Sequence, residues 1–165
     1  MHFINRVIYA LTNLHPLHPM FVHFPIGLTG AAFFFILLAW WRKSALLEQV
    51  AFANISLAAV ATVVAGATGI FDNYRNYAGQ APNAVAKMVL AGLLLLLTST
   101  LALVRWRNPD LFEGGCAGGV VPPALRTPGT KPGGWKKALY ILGYGLSFAL
   151  AFVLAFLGGI ILYGF

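Results

Sequence analysis

The stretch HPLHPMFVHFPIGL, residues 15–28, contains three of the chain's four histidines and joins a polar N-terminal segment to the first long apolar run. Pro19 is suited to the first turn of a helix, where its missing N–H costs nothing, and His18 would then be the N-cap. Pro25 should bend the helix near its start. The first transmembrane helix is therefore predicted to begin here, and any chemistry of the protein is expected to lie here.

The composition assigns the chain to the integral membrane proteins. Of its 165 residues, 59% are hydrophobic and 9% are charged, whereas a soluble domain has about a quarter charged residues. A membrane-spanning helix needs about 20 mostly apolar residues, and the sequence contains four such runs. The predicted fold is a single all-α membrane domain over residues 1–165, with four transmembrane helices and an N-terminal interfacial amphipathic helix.

The predicted elements follow in order along the chain. An amphipathic helix over residues 3–14 is expected to lie in the membrane interface, because its apolar side chains share one helical face. The predicted transmembrane helices cover residues 20–41, 50–71, 83–104 and 138–163. Residues 105–137, rich in Gly and Pro, are predicted to form a flexible cytoplasmic loop.

The basic residues lie at the ends of the apolar runs and give a formal net charge of +7. This placement is typical of topology determinants and lipid-headgroup contacts, so nucleic acid is not an expected partner. With the N-terminus outside, eight of the eleven Lys and Arg residues fall on the inside, which predicts that both termini are outside. The single Cys116 excludes an intrachain disulfide and a zinc or iron–sulfur site built from cysteines of this chain.

Two later spans carry ridges of small residues, which indicate faces that pack closely against other helices. In the second span, Ala61, Ala65 and Gly69 are spaced by four, with Asp72 on nearly the same face. The ridge of the fourth span is longer and fits either the intrachain bundle or a neighbouring subunit; it consists of Gly143, Ser147, Ala151, Ala155 and Gly159.

His23, Asp72 and Lys87 are predicted to lie at similar depth on the outer side. His23 is about one turn into the first span and shares a helical face with Gly27 and Gly30, so it is expected to point into the bundle. Asp72 ends the antiparallel second span and Lys87 begins the third. We expect direct contact between His23 and Asp72, and ionisable groups inside a membrane bundle are functional candidates.

The segment His18–Leu28, followed by GIFD at residues 69–72, resembles a family of small bacterial membrane proteins known as domain of unknown function 2231. The resemblance covers roughly residues 15–105. It implies four spans in a prokaryotic inner membrane, with both termini then periplasmic. Some relatives are joined to redox domains such as Rieske iron–sulfur modules, which implies electron transfer. A histidine is common early in the family's third span, where this chain has Lys87, and this departure argues against a ligand there.

A redox site would use His18 and His23 as metal or cofactor ligands, with Asp72 accepting the other ring N–H of His23. Haem b takes axial imidazoles, but residues five apart point about 140° apart on a helix. A partner subunit, a symmetric dimer, Met88 or a five-coordinate haem would have to complete the site. Alternatively, a His23–Asp72 pair near the headgroups exchanges protons with a quinone.

The sequence favours a non-catalytic or electron-transfer protein over an enzyme. It contains no convincing hydrolytic triad, phosphate loop or His-Glu-x-x-His motif, and no polar stripe typical of a channel. We predict a small membrane subunit of a prokaryotic respiratory or photosynthetic electron-transfer complex, which contacts lipid and other membrane subunits and can also form a homo-oligomer. The alternatives are a self-contained haem b or quinone protein, and a structural subunit whose histidines only cap and cross-link the bundle.

Overall fold

The computed structural model describes residues 2–9, 17–81, 83–108 and 134–163, which are helical apart from the short connections. The helices are α1 (His2–Tyr9), α2 (Leu17–Arg42), α3 (Ala45–Tyr77), α4 (Ala84–Arg107) and α5 (Gly134–Tyr163). Helices α2 to α5 are each long and apolar enough to cross a membrane. The predicted all-α membrane fold with four spans is confirmed.

The helices extend beyond the apolar runs that predict them. The second predicted span, 50–71, lies within the 33-residue helix α3, which starts five residues earlier and ends six residues later. Its early start is explained by Ser44, whose hydroxyl caps the helix by accepting a hydrogen bond from the Leu47 N–H at 3.5 Å. Residues 10–14 of the predicted interfacial helix and 109–133 of the predicted loop lie outside the described residues.

A compact turn ends α3 and is hydrogen bonded to the last turn of the helix. Ala78 adopts a left-handed conformation with φ 50°, and its N–H donates to the carbonyl oxygen of Asn73. The N–H of Gly79 donates to the same oxygen at 3.0 Å, which satisfies helix-end acceptors as in other left-handed caps. The Asn73 side-chain oxygen accepts the Ala81 N–H at 3.0 Å. Asp72 therefore lies on a well-bonded helix end.

The four long helices form a ring in which α2 packs on α3, α3 on α4, α4 on α5, and α5 on α2. In α2, α4 and α5 the buried residues recur at alternating spacings of three and four, the period of left-handed bundles. Helix α3 keeps this spacing from Glu48 to Ala65, and its last buried residues are Asp72 and Asn73. The residues in these buried stripes are Pro25, Thr29, Ala32, Ile36 and Ala39 in α2; Glu48, Ala51, Ile55, Ala58, Thr62, Ala65 and Asp72 in α3; Leu94, Thr98 and Leu101 in α4; and Tyr140, Tyr144, Ser147 and Ala151 in α5.

Only part of the small-residue ridge of α5 packs against other helices of this chain. A Cβ added at Gly143 would lie 2.6 Å from Leu101 Cδ2, so α4 approaches α5 at this glycine. Ser147 and Ala151 are buried. Further along, Gly159 has nothing within 4 Å of an added Cβ. The intrachain bundle therefore accounts for the first three positions of the ridge.

Candidate functional site at the His18 end of the bundle

The backbone of His18 is hydrogen bonded to the carboxylate of Asp72. His18 is the second residue of α2, and its N–H donates to Asp72 Oδ2 at 2.8 Å. The first N–H groups of a helix have no partner within the helix, and its N-terminus favours a negative charge. Asp72 thus caps α2 from another helix. The prediction that His18 is itself the N-cap is wrong, because the helix already begins at Leu17.

The imidazole of His18 lies in the interface between α2 and α3. Its Nδ1 is 2.9 Å from the carbonyl oxygen of Ala65, and because a carbonyl only accepts, Nδ1 carries the proton. A Cβ added at Gly69 would lie 2.9 Å from both Nδ1 and Cε1 of the ring. The absent side chain of Gly69 therefore makes the space that the imidazole occupies. In the neutral ring this bond leaves Nε2 with a lone pair.

His23 does not point into the bundle, which corrects the sequence-based expectation. Its side chain is exposed, and the described part of the chain contains no hydrogen bond between His23 and Asp72. The physical reason is helical phase, since residues five apart differ by about 140° in direction. The face of α2 toward α3 carries His18, so the face of His23 is turned outward. Of the two glycines that share a helical face with His23, Gly30 is packed, since an added Cβ there would lie 3.1 Å from the Phe148 ring, but an added Cβ at Gly27, the one nearer His23, would meet nothing within 4 Å.

Lys87 completes the charged groups at this end. It lies in the first turn of α4 and is half-buried. Both Asp72 and Lys87 are near enough to His18 to act electrostatically on its imidazole. The sequence predicted that a histidine, Asp72 and Lys87 lie at similar depth. The structure brings such a group together, but its histidine is His18 and not His23. The Lys87 N–H donates to the Asn83 carbonyl oxygen at 3.0 Å, and no hydrogen bond or ion pair of the Lys87 side chain occurs among the residues that the structure describes.

The candidate haem ligands lie on different surfaces of the bundle. His18 is engaged with α3, His23 faces outward, and Met88 is exposed on α4. Within the described ranges, no group of three or more His, Cys, Asp or Glu residues could hold a metal ion. His15 lies outside the described residues. A haem bound through His18 would need a second axial ligand from a partner, or would remain five-coordinate.

The buried stripe of α2 shows why His18, and not His23, meets α3. Counting back from Ala39 through Ile36, Ala32, Thr29 and Pro25 at spacings of three and four leads next to Val22 and then His18. The same count never reaches His23. The stripe is recognised by burial, because this helix is apolar on nearly every side, so the sequence alone offered no comparable signal for choosing His18.

A second polar cluster, at the opposite end, was missed by sequence reasoning. Arg105 donates from Nε to Glu48 Oε1 at 2.6 Å and from Nη2 to Glu48 Oε2 at 2.8 Å. The hydroxyls of Tyr140 and Tyr144 are 2.8 Å apart and both tyrosines are buried. An available signal was that Glu48 is one of only four acidic residues in the chain and lies in the first turn of a transmembrane helix.

Replacing Asp72 by alanine is expected to lower the free energy of unfolding by about 1–3 kcal/mol, because the N–H of His18 loses its charged acceptor at the start of α2. Asp72→Asn keeps an acceptor oxygen and should cost less. Thermal unfolding of the detergent-solubilised protein measures both changes. Asn76→Ala, an exposed change one turn later on α3, is the matched control, and equal effects at positions 72 and 76 would refute the capping role.

Comparison with known proteins gives one match. A family model described as Predicted membrane protein (DUF2231) matches residues 14–164. The match includes all of α2, α3, α4 and α5, so it extends beyond the region 15–105 in which the motifs were found. No curated protein and no solved structure matches the chain.

Proposed function

The chain belongs to the DUF2231 family of predicted membrane proteins, and we propose that it is a small non-catalytic subunit of a prokaryotic respiratory or photosynthetic electron-transfer complex. The supporting observation is the outward position of His23. Polar side chains in membrane helices normally face the bundle interior or a polar partner, since lipid chains offer no hydrogen bonds. A partner subunit supplies such a group.

The depth of His23 strengthens this argument. It is six residues beyond the start of α2, which at 1.5 Å per residue places it about 9 Å along the helix axis. No buried side-chain nitrogen or oxygen among the described residues lacks a hydrogen-bond partner, so only side chains that are not buried can still gain one from outside the chain. His23, whose side chain is exposed within α2, is such a group. The electron-transfer setting rests on the family resemblance to proteins joined to Rieske modules.

The test is the size of the assembly extracted from native membranes in mild detergent. We expect the tagged chain to migrate on native gels in a complex larger than one chain, and His23→Ala to release it from that complex. Thr100→Ala changes an exposed polar residue on α4 and should leave the complex intact. Recovery of wild-type protein only as single chains, or equal behaviour of the two variants, would contradict the proposal.

A second candidate, a haem or quinone protein, is favoured by the fixed tautomer of His18. With Nδ1 donating to Ala65, Nε2 is available to coordinate iron or to accept a proton from a quinol. The reduced-minus-oxidised spectrum and a pyridine haemochrome assay of the purified chain test for the haem. A stoichiometric b-type band that is lost in His18→Ala would support a haem protein. A featureless spectrum would remove a haem held by this chain alone, and co-purification with partner subunits would then separate the quinone protein from the subunit role.

A further inference from the structure

The end of the bundle opposite His18 is strongly basic. It joins the C-terminus of α2, the N-terminus of α3, the C-terminus of α4 and the N-terminus of α5. We call it the basic end; among the described residues, its six basic side chains and one carboxylate give a net charge of +5, from Arg42, Lys43, Arg105, Arg107, Lys136 and Lys137 with Glu48. At the His18 end, the long helices carry Arg75 and Lys87 against Asp72, a net charge of +1.

The charge of the basic end is presented outward. Glu48 is fully buried and is bound by both Arg105 contacts, so this carboxylate does not neutralise the remaining cations. Arg42, Lys43 and Arg107 are exposed. All four tryptophans of the chain lie at this end and are exposed, at 63% for Trp40, 76% for Trp41, 78% for Trp106 and 66% for Trp135. Tryptophans concentrate at the headgroup level of membranes, where these cations would meet lipid phosphates.

An apolar groove leads from the basic end along the outer surface between α3 and α4. It has a volume of about 300 Å³ and is lined by Phe52, Ser56 and Ala59 of α3 and by Ser99, Ala102 and Trp106 of α4. The Ser56 hydroxyl donates to the Phe52 carbonyl, so this serine is already satisfied. The groove reaches the cations because the Arg105 guanidinium lies 6.0 Å from the Phe52 ring centre and Trp106 directly precedes Arg107.

We propose that this groove holds an acyl chain of an anionic phospholipid whose phosphate is bound by the exposed cations of the basic end, Arg107 foremost. Charge complementarity identifies the occupant, since juxtamembrane cations attract anionic headgroups and the groove accepts only apolar groups. A second groove of about 400 Å³ lies between α2 and α3 and includes Phe21, Phe24 and Ala61. It belongs to the half of the bundle near the His18 end, which lacks the cations, and provides an internal comparison.

Native mass spectrometry of the detergent-purified protein, titrated with phosphatidylglycerol or phosphatidylcholine, tests the site. We expect preferential retention of phosphatidylglycerol, weakened about fivefold by Arg107→Ala and again by Lys43→Ala. Arg75→Ala removes a cation at the other end and should leave retention unchanged. Both Arg107 and Lys43 are exposed at helix ends, so their variants are expected to fold.

The groove itself is tested by filling it. Ala102→Phe should abolish the preference for phosphatidylglycerol. The control, Ala61→Phe, fills the α2–α3 groove and should preserve that preference. If Ala102→Phe does not fold, Ser99→Leu serves as a second variant that obstructs the α3–α4 groove. Equal retention of the two lipids by the wild type would overturn the proposal. The proposal would also be overturned if Arg107→Ala weakened the retention of phosphatidylglycerol while neither Ala102→Phe nor Ser99→Leu did. The lipid would then be held by diffuse attraction of its headgroup alone.

Discussion

Replacing Glu48 by alanine is expected to lower the free energy of unfolding by about 3–5 kcal/mol, the range for breaking a buried ion pair from one side. The Glu48 side chain is fully buried and the Arg105 side chain is 14% exposed. The guanidinium would keep its desolvation cost while losing both hydrogen bonds that it donates to the carboxylate. Unfolding of the protein in mixed micelles, followed by tryptophan fluorescence, measures this loss.

A double-mutant cycle separates the ion pair from simple loss of packing. Glu48→Met and Arg105→Met are each expected to be destabilising, whereas the double variant should recover most of the loss, since apolar residues of similar volume often replace buried pairs without cost. Thr100→Ala, on an exposed face of α4, is the control for a change with no buried partner. Additive losses in the cycle would show that Glu48 and Arg105 do not stabilise the fold as a pair.

Replacing Gly69 by alanine is expected to lower the free energy of unfolding by about 1–3 kcal/mol, as for other overpacked sites. The added Cβ would lie 2.9 Å from the His18 ring, which is tighter than atoms tolerate. The ring is held by its bond to the Ala65 carbonyl, so it cannot turn aside without losing that bond. Thermal unfolding in detergent reports the stability change.

Gly66 is the matched control on the same helix, since an added Cβ there meets nothing within 4 Å. Gly66→Ala should stabilise α3 by up to about 1 kcal/mol through helix propensity alone. The stability changes of Gly69→Ala and Gly66→Ala should therefore have opposite signs, although the two glycines are three residues apart. This difference distinguishes the close contact with the His18 ring from a general effect of alanine on the helix. If His18→Ala does not relieve the penalty of Gly69→Ala in the double variant, the imidazole is not the group that the methyl displaces.

The number and approximate positions of the membrane helices were predictable because they depend on local hydrophobicity. Each apolar run is long enough to cross a bilayer whatever its neighbours do. The ends were less predictable. Helix α3 extends to Tyr77 through polar residues, and it begins at Ala45 because the Ser44 hydroxyl caps it. Such extensions depend on individual hydrogen bonds rather than on the apolar run.

The candidate site was predicted in part. The sequence indicated Asp72 and the histidine stretch as candidate site residues, and His18 of that stretch is joined to Asp72 by a hydrogen bond. The assignment of His23 to Asp72 was wrong because the packed face was taken to extend from Gly30 through Gly27 to His23, whereas Gly27 is already unpacked. In the structure His23 is exposed, and Gly69 on the opposite helix is the glycine that receives an imidazole.

By itself the sequence determined that this is a membrane protein with four long apolar helices, and that His18 and His23 lie near the start of the first. Only the tertiary structure decided how each helix is rotated, and thereby which histidine meets Asp72 and that Glu48 pairs with Arg105, 57 residues away. The physical reason is that lipid-embedded helices are apolar on every side, so hydrophobicity carries little information about the inward face. Close packing at small residues and the pairing of buried polar groups set the rotation, and both require the partner helix.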